Sequence, residues 1–220
     1  MPDWCKYLIY EVVRLFSYPT FTLGWSLRVV GSRRIPMTGP ALLIANHQSF
    51  FDAPVIGNAT MRHLSFLARK SLFRNRWFGW LIDALNAVPV DQEGIGKDGI
   101  KEILAQLQAG RAVVVFPEGE RSTNARMQPL KPGISLLIKR VQAPIIPIGI
   151  AGAYDCWPRT QRLPNVAPLF PRTGQGTLAI CIGEPLDGKR FANMPRDQML
   201  HELFVEIQKV QQQAEQLRDR

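Results

Sequence analysis

The chain has 220 residues, 46% of them apolar, which suits one domain with a buried core that needs no disulfide staples. Lys and Arg outnumber Asp and Glu by 27 to 18, a balance that favours polyanions: nucleic acid, anionic membrane or phosphorylated substrates. Three scattered cysteines, Cys5, Cys156 and Cys181, exclude a disulfide framework and any CxxC or metal-ligand pattern, and point to a reducing compartment.

The first 27 residues are rich in aromatics but carry Lys6, Glu11 and Arg14. Their longest uncharged run, Leu15 to Leu27, is 13 residues and is interrupted by Pro19. A spanning helix takes about 20 residues, so this stretch is too short to cross a bilayer. No secretory signal is visible. Residues 1–27 are expected to form an amphipathic, membrane-proximal segment, lying in the lipid interface or packed on the protein's own core.

Residues 28–220 are expected to form the functional domain. Short apolar runs recur at 26–30, 41–45, 63–68, 86–90, 112–116, 143–151 and 177–183. Most are rich in β-branched residues and bounded by Gly, Pro or polar residues, as buried strands are. Between them lie helical patterns. Ile100, Ile103, Leu104 and Leu107 share a face, and Gly110 stands where a helix ends. Residues 132–140 read as a short helix, and Met199, Leu200, Leu203, Phe204, Ile207 and Val210 as a long amphipathic one. The pattern predicts a single α/β domain: a largely buried mixed sheet of about seven strands, flanked by helices. Residues 156–176 hold four prolines and read as an ordered, irregular excursion. Residues 69–81 interleave Arg69, Lys70, Arg74 and Arg76 with Phe73, Trp77, Phe78 and Trp80. That pattern suits a lipid headgroup layer, or a helix whose aromatics face the core.

Two strands end in unusual turns. After ALLIA comes NHQSFFD, 46–52. A helix turns 100° per residue, so His47 and Asp52 could not meet on one helix. Proline is tolerated in a first turn, so Pro54 makes Asp52 a good N-cap, with His47 folding back from the preceding turn. The alternative cap is Ser49, with Asp52 completing a capping box, which sets Pro54 deeper in the helix. The second turn, in RAVVVFPEGERS at 111–122, carries Glu118, Gly119, Glu120, Arg121 and Ser122. Glycine permits close backbone approach and arginine suits phosphate, although a solvated charged turn has the same composition. The sequence shows no GxSxG elbow, no Gly-rich nucleotide loop and no metal cluster.

Together the blocks resemble the glycerophosphate and lysophosphatidic acid acyltransferase family. That family carries NHxxxxD, an (I/V)(F/P)(I/V)xR segment, FPEG(T)RS and a VPIIP-like strand in this order. Here they stand at Asn46–Asp52, Val88–Gln92, Phe116–Ser122 and Ala143–Pro147. The resemblance implies that His47 is the general base and Asp52 its orienting partner. It places Asn46, Lys70, Glu118, Gly119 and Arg121 on the substrate side, with Glu118 shaping its loop. It implies an acyl thioester donor, acyl-CoA or acyl-carrier protein, with no cofactor or metal. The implied acceptor is a lysophospholipid, foremost 1-acyl-glycerol-3-phosphate, met at an anionic membrane surface on the cytoplasmic side. No nucleic-acid motif is present. Two departures concern the acceptor: Gln92 stands for the family's arginine and Glu120 for its commoner threonine. A thioesterase that activates water with His47, or a non-catalytic lipid-binding relative, are the rival readings.

Overall fold

The structure is a computed structural model that describes residues 1–91, 96–141, 143–167, 169–170 and 172–220. Seven strands form one sheet: β1 (Arg28–Val30), β2 (Ala41–Ala45), β3 (Leu64–Arg69), β4 (Ala87–Val90), β5 (Ala112–Val115), β6 (Ile145–Ala151) and β7 (Ala179–Ile182). Each of the seven expected runs is realised. The first is shorter than expected, because Ser26 ends the preceding helix in a left-handed turn with φ of 50°. The helices are α1 (Asp3–Trp25), α2 (Asp52–Asn58), α3 (Arg76–Ala84), α4 (Lys97–Gln108), α5 (Gly133–Ile138), α6 (Ala153–Cys156), α7 (Gly188–Ala192) and α8 (Arg196–Arg218).

The strand order is β1-β7-β6-β2-β5-β3-β4, and every neighbouring pair is parallel except β6 and β7. β2, β5, β6 and β7 are buried at every residue, which is why they read as unbroken apolar runs. Alternate side chains serve two cores. Leu43, Val114 and Ile148 pack with Phe21 of α1 and with Val55 and Ile56 of α2. Leu42, Ile44, Val113 and Ile145 pack with α4, α5 and α8 through Ile103, Ile134, Leu203 and Ile207. Helix α8 lies directly on β6. A Cβ on Gly149 would come within 2.2 Å of backbone atoms of Val210 and Gln211, so only glycine fits there.

This topology fixes where a site can form. The connection leaving β2 passes over β5 to reach β3, whereas the one leaving β5 passes back over β2 to reach β6. The carboxyl ends of β2 and β5 therefore flank a switch point, where open α/β sheets place their ligands. Because β7 runs against β6, the amino ends of β7 and β1 lie at that same edge. The last turn of α1 and the excursion between β6 and β7 thus form its rim.

Helix α1 turns Tyr10 and Phe21 into the body, and polar groups with them. Lys6 Nζ lies 2.9 Å from Asp83 of α3, Glu11 pairs with His63 at 2.6 Å, and Ser17 donates to Asn58 of α2 at 3.0 Å. Its outer stripe is apolar, with Trp4, Leu8, Val12, Leu15 and Leu23 all exposed. Of the two readings of residues 69–81, the core-facing one fails: Trp77 is 86% exposed and Trp80 52%. Among the described residues no helix is long and apolar enough to cross a membrane.

Candidate active site

The site begins where β2 stops pairing with β6. Asn46 is fully buried, and its side chain replaces the next ladder rung: Nδ2 donates to Ile150 O at 3.0 Å, and Oδ1 accepts from Ile150 N at 2.8 Å. The amide anchors the strand end while the backbone turns away. Both of its polar groups are therefore taken up by β6.

His47 follows at the turn. Its Nδ1 lies 2.6 Å from Asp52 Oδ2. That oxygen also accepts the backbone N–H of Gln48 at 2.6 Å and of Ser49 at 2.8 Å. A carboxylate can only accept, so the bond assigns the imidazole proton to Nδ1 and leaves Nε2 as an acceptor. The ring stacks on Phe116, with centroids 4.0 Å apart. Asp52 is wholly buried, whereas the His47 side chain keeps 17% exposure.

The expected capping role of Asp52 is not what forms. Asp52 is the first residue of α2, and its carboxylate reaches backward rather than forward along the helix. The alternative, Ser49 as the cap, forms only by half: Ser49 N–H donates to Asp52, but Ser49 Oγ accepts from Phe51 N at 3.0 Å, and the residue before the helix is Phe51, whose side chain caps nothing. The same carboxylate thus holds the turn that precedes α2 and orients the imidazole.

The turn after β5 is stitched to this loop in both directions. Glu118 Oε1 accepts from His47 N at 2.6 Å, and Ser122 N donates to His47 O at 2.9 Å. Glu118 Oε2 accepts from Gln128 N at 2.6 Å. Gly119 sits at φ 79°, in the left-handed region, after a turn closed by its N–H on Phe116 O. Burial pushes the Glu118 carboxyl up from 4.5 to about 7; the N–H bonds from Gln128 and His47 oppose the shift, and Asp52 adds to it.

A pH dependence follows. The unfolded chain releases this proton near 4.5 and the folded chain near 7. Between those values the folded state holds more protons, so stability falls as pH rises. The contribution is complete below the lower value and is lost through the upper one, on the order of 3 kcal/mol in all. Glu118→Gln is expected to flatten that part of the stability profile, measured by denaturant unfolding across this range. A mutant slope equal to wild type would assign the titration elsewhere.

Arg121 lies over the Phe50 ring, its Cζ 3.9 Å from the centroid. Glu120 is paired with Arg159 at 3.2 Å, and Arg159 also donates to Arg121 O at 3.0 Å. The charge that Glu120 brings is therefore matched by a cation from the excursion. Lys70, one strand beyond β5, pairs with Asp91 at 2.7 Å, both side chains more than half exposed. Gln92 lies outside the described residues. The serine hydroxyls of the two loops are committed to structure: Ser49 Oγ donates to Trp157 O at 2.6 Å, and Ser122 Oγ bonds Asn124 at 3.1 Å.

Phe116, Gln128 and Arg159 were not among the residues singled out in the sequence. Phe116 lies inside the FPEG block, and its place one residue past a buried strand could have marked it. Arg159 had no local mark, because its contact spans 38 residues.

The acyltransferase family model matches residues 26–151, more than half the chain and all of both loops. The chain is 27% identical over 180 residues to the 1-acyl-sn-glycerol-3-phosphate acyltransferase of Bacillus subtilis, covering 81% of this chain and 83% of that one. It is 25% identical over 224 residues to the protein of that name from Pseudomonas aeruginosa, covering 96% and 79%. A match to the Streptococcus pneumoniae enzyme of that name, 33% identical over 113 residues, spans 50% of this chain but 41% of the relative. The crystal structure of the 1-acyl-sn-glycerophosphate (LPA) acyltransferase from Thermotoga maritima shares the fold, with a TM-score of 0.77 over 98% of this chain and 82% of that one, at 24% identity. A family match that runs unbroken through both stitched loops identifies the chain as an acyltransferase, a member of the glycerophosphate and lysophosphatidic acid acyltransferase family.

Proposed function

We propose that this acyltransferase moves a fatty acyl group from an acyl thioester to the free hydroxyl of a lysophospholipid, with 1-acyl-glycerol-3-phosphate as the first acceptor to test. The donor would be acyl-CoA or acyl-carrier protein, and the setting the cytoplasmic face of a membrane. One observation carries the reading. His47 is locked through Nδ1, its Nε2 is left as an acceptor, and its own backbone is bonded to the loop that carries Arg121.

A hydroxyl is a weak nucleophile at neutral pH. His47 Nε2 takes the acceptor's proton as its oxygen attacks the thioester carbonyl. Asp52 holds the ring and stabilises the imidazolium without taking that proton. The tetrahedral intermediate collapses, the C–S bond breaks, and the imidazolium protonates the departing thiolate. The products are an ester and a thiol. Arg121 is suited to a phosphate, which a planar guanidinium binds through two hydrogen bonds. Similarity to relatives named 1-acyl-sn-glycerol-3-phosphate acyltransferase supports the choice of acceptor. The outward apolar stripe of α1 supports the membrane setting, since both the acceptor and the acyl chain partition into lipid.

The test is direct. Purified protein is incubated with acyl-CoA or acyl-carrier protein and a panel of lysolipids, and products are identified by mass spectrometry. An acylated acceptor is expected; free fatty acid alone would establish a thioesterase. Losing a charged hydrogen bond costs about 1.5–3 kcal/mol, so Arg121→Ala should lower kcat/KM for the acceptor by roughly ten- to a hundredfold. The donor KM should change little. Wild-type kinetics with every acceptor would remove Arg121 from the phosphate site.

A further inference from the structure

We propose that residues 163–167, with Leu169 and Phe170, form a second lipid-entering element, a lip that sinks into an anionic phospholipid bilayer beside α1 and holds the mouth of the site at headgroup depth. The proposal rests on the membrane setting given above, and extends it to a segment outside α1 and α3.

The segment turns its apolar residues outward. Leu163 is 76% exposed, Val166 94% and Phe170 77%, with Leu169 also exposed. The excursion leaves and re-enters the core at Cys156 and Leu178, both buried. A surface excursion normally carries polar tips, and large apolar side chains clustered in water mark an interaction surface.

Its backbone is held in this pose. Leu169 N and Phe170 N donate to Gly24 O at 3.3 Å and Leu23 O at 3.0 Å, carbonyls of the last turn of α1. Ser26 Oγ donates to Phe170 O at 3.2 Å and accepts from Arg172 N at 2.8 Å. Leu169 and Phe170 have φ of 50° and 69°, the left-handed region that bulky residues resist. Such strain persists where the surroundings impose it, here the bonds to α1. The effect is to prolong the outer stripe of α1, past Leu23, onto Leu169 and Phe170.

Charge and position name the occupant. Between Trp157 and Gly176 the sequence holds Arg159, Arg162 and Arg172 and no acidic residue. Basic groups flanking exposed apolar ones complement an anionic lipid surface. The segment lies at the carboxyl end of β6, the same edge as His47. The start of the same excursion is tied to both site loops, through Ser49 Oγ on Trp157 O and Arg159 on Glu120 and Arg121 O, and Asn165 N donates back to Cys156 O at 2.8 Å. A lip seated in lipid would therefore fix the height of the catalytic loops above the acyl region.

The test uses Leu169→Asn with Phe170→Asn. Asparagine adopts left-handed backbone readily, so the melting temperature should hold or rise. Cosedimentation with phosphatidylglycerol vesicles should weaken by about tenfold or more, as expected for two apolar side chains withdrawn from lipid. Turnover of a short-chain acceptor below its micelle concentration should stay at the wild-type level, while turnover of vesicle-embedded acceptor falls. A control variant, Leu8→Asp with Leu15→Asp, reads α1 separately. If the control loses vesicle binding and the asparagine pair keeps it, the lip is overturned and the membrane setting stands. If the wild-type protein does not sediment with vesicles, both fall. If the asparagine pair alters only the oligomeric state measured by light scattering, the face belongs to a second copy and the lip is again overturned.

Discussion

His47→Ala is expected to lower kcat/KM by about 10²–10⁴-fold, the usual cost of removing a general base, while the protein stays folded. The separation comes from which atoms do what. The backbone N–H of His47 bonds Glu118, and its carbonyl accepts from Ser122. Alanine keeps both. Asp52 loses the imidazole but retains the N–H groups of Gln48 and Ser49. The structural losses are the Nδ1 bond to the buried Asp52, about 1.5–3 kcal/mol, and the ring stacked on Phe116, about 1 kcal/mol. Steady-state kinetics with a calorimetric melt on one preparation checks both halves. Turnover near wild type would end the assignment of His47 as the base.

Asp52→Asn and Asp52→Ala should lose activity alike and stability unequally. The amide oxygen of asparagine can still accept from Gln48 N and Ser49 N, so the loop keeps its shape. That same oxygen also faces His47 Nδ1, but it carries no charge, so it no longer stabilises the imidazolium. A loss of about 10²–10⁴-fold in kcat is expected with a small change in melting temperature. Alanine strands both N–H groups in a buried turn, at about 1–3 kcal/mol each. The alanine variant should therefore melt well below the asparagine one, in paired thermal scans. An active asparagine variant would reduce Asp52 to a structural residue.

The strands were legible because a sheet buried on both faces has no polar alternation to confuse the pattern. ALLIA, AVVVF and APIIPIGIA each leave one reading, and each formed a strand. The role of Asp52 was half legible. Spacing and Pro54 located the turn, but a carboxylate at a helix start can reach forward or back. Only the path of Gln48 and Ser49 decides between them. The Glu120–Arg159 pair was not legible, because it joins the turn after β5 to an irregular segment whose course no period describes. Lys70 shows the limit of a motif in another way: a motif names only neighbours along the chain, and the fold supplied Asp91. Helix α1 shows a symmetry of the apolar pattern itself. A stripe of Trp4, Leu8, Val12 and Leu15 is the same stripe whether it faces in or out, and the partners of Lys6, Glu11 and Ser17 set its direction.

The bare glycine at position 149 also bears on how the chain is made. Backbone lies on backbone where α8 crosses β6, so no side chain of that strand shields the spot before the helix arrives. Met199, Leu203 and Ile207 of α8 are needed to complete the core that Leu42, Ile44 and Ile145 begin. Ribosomal synthesis delivers α1, with its apolar outer stripe, well before those residues. Throughout that interval the growing chain carries a surface suited to lipid and a sheet face still open to water. A bilayer that takes up α1 early would hold the unfinished sheet at a fixed orientation, and would keep the open faces of neighbouring nascent chains from meeting edge on.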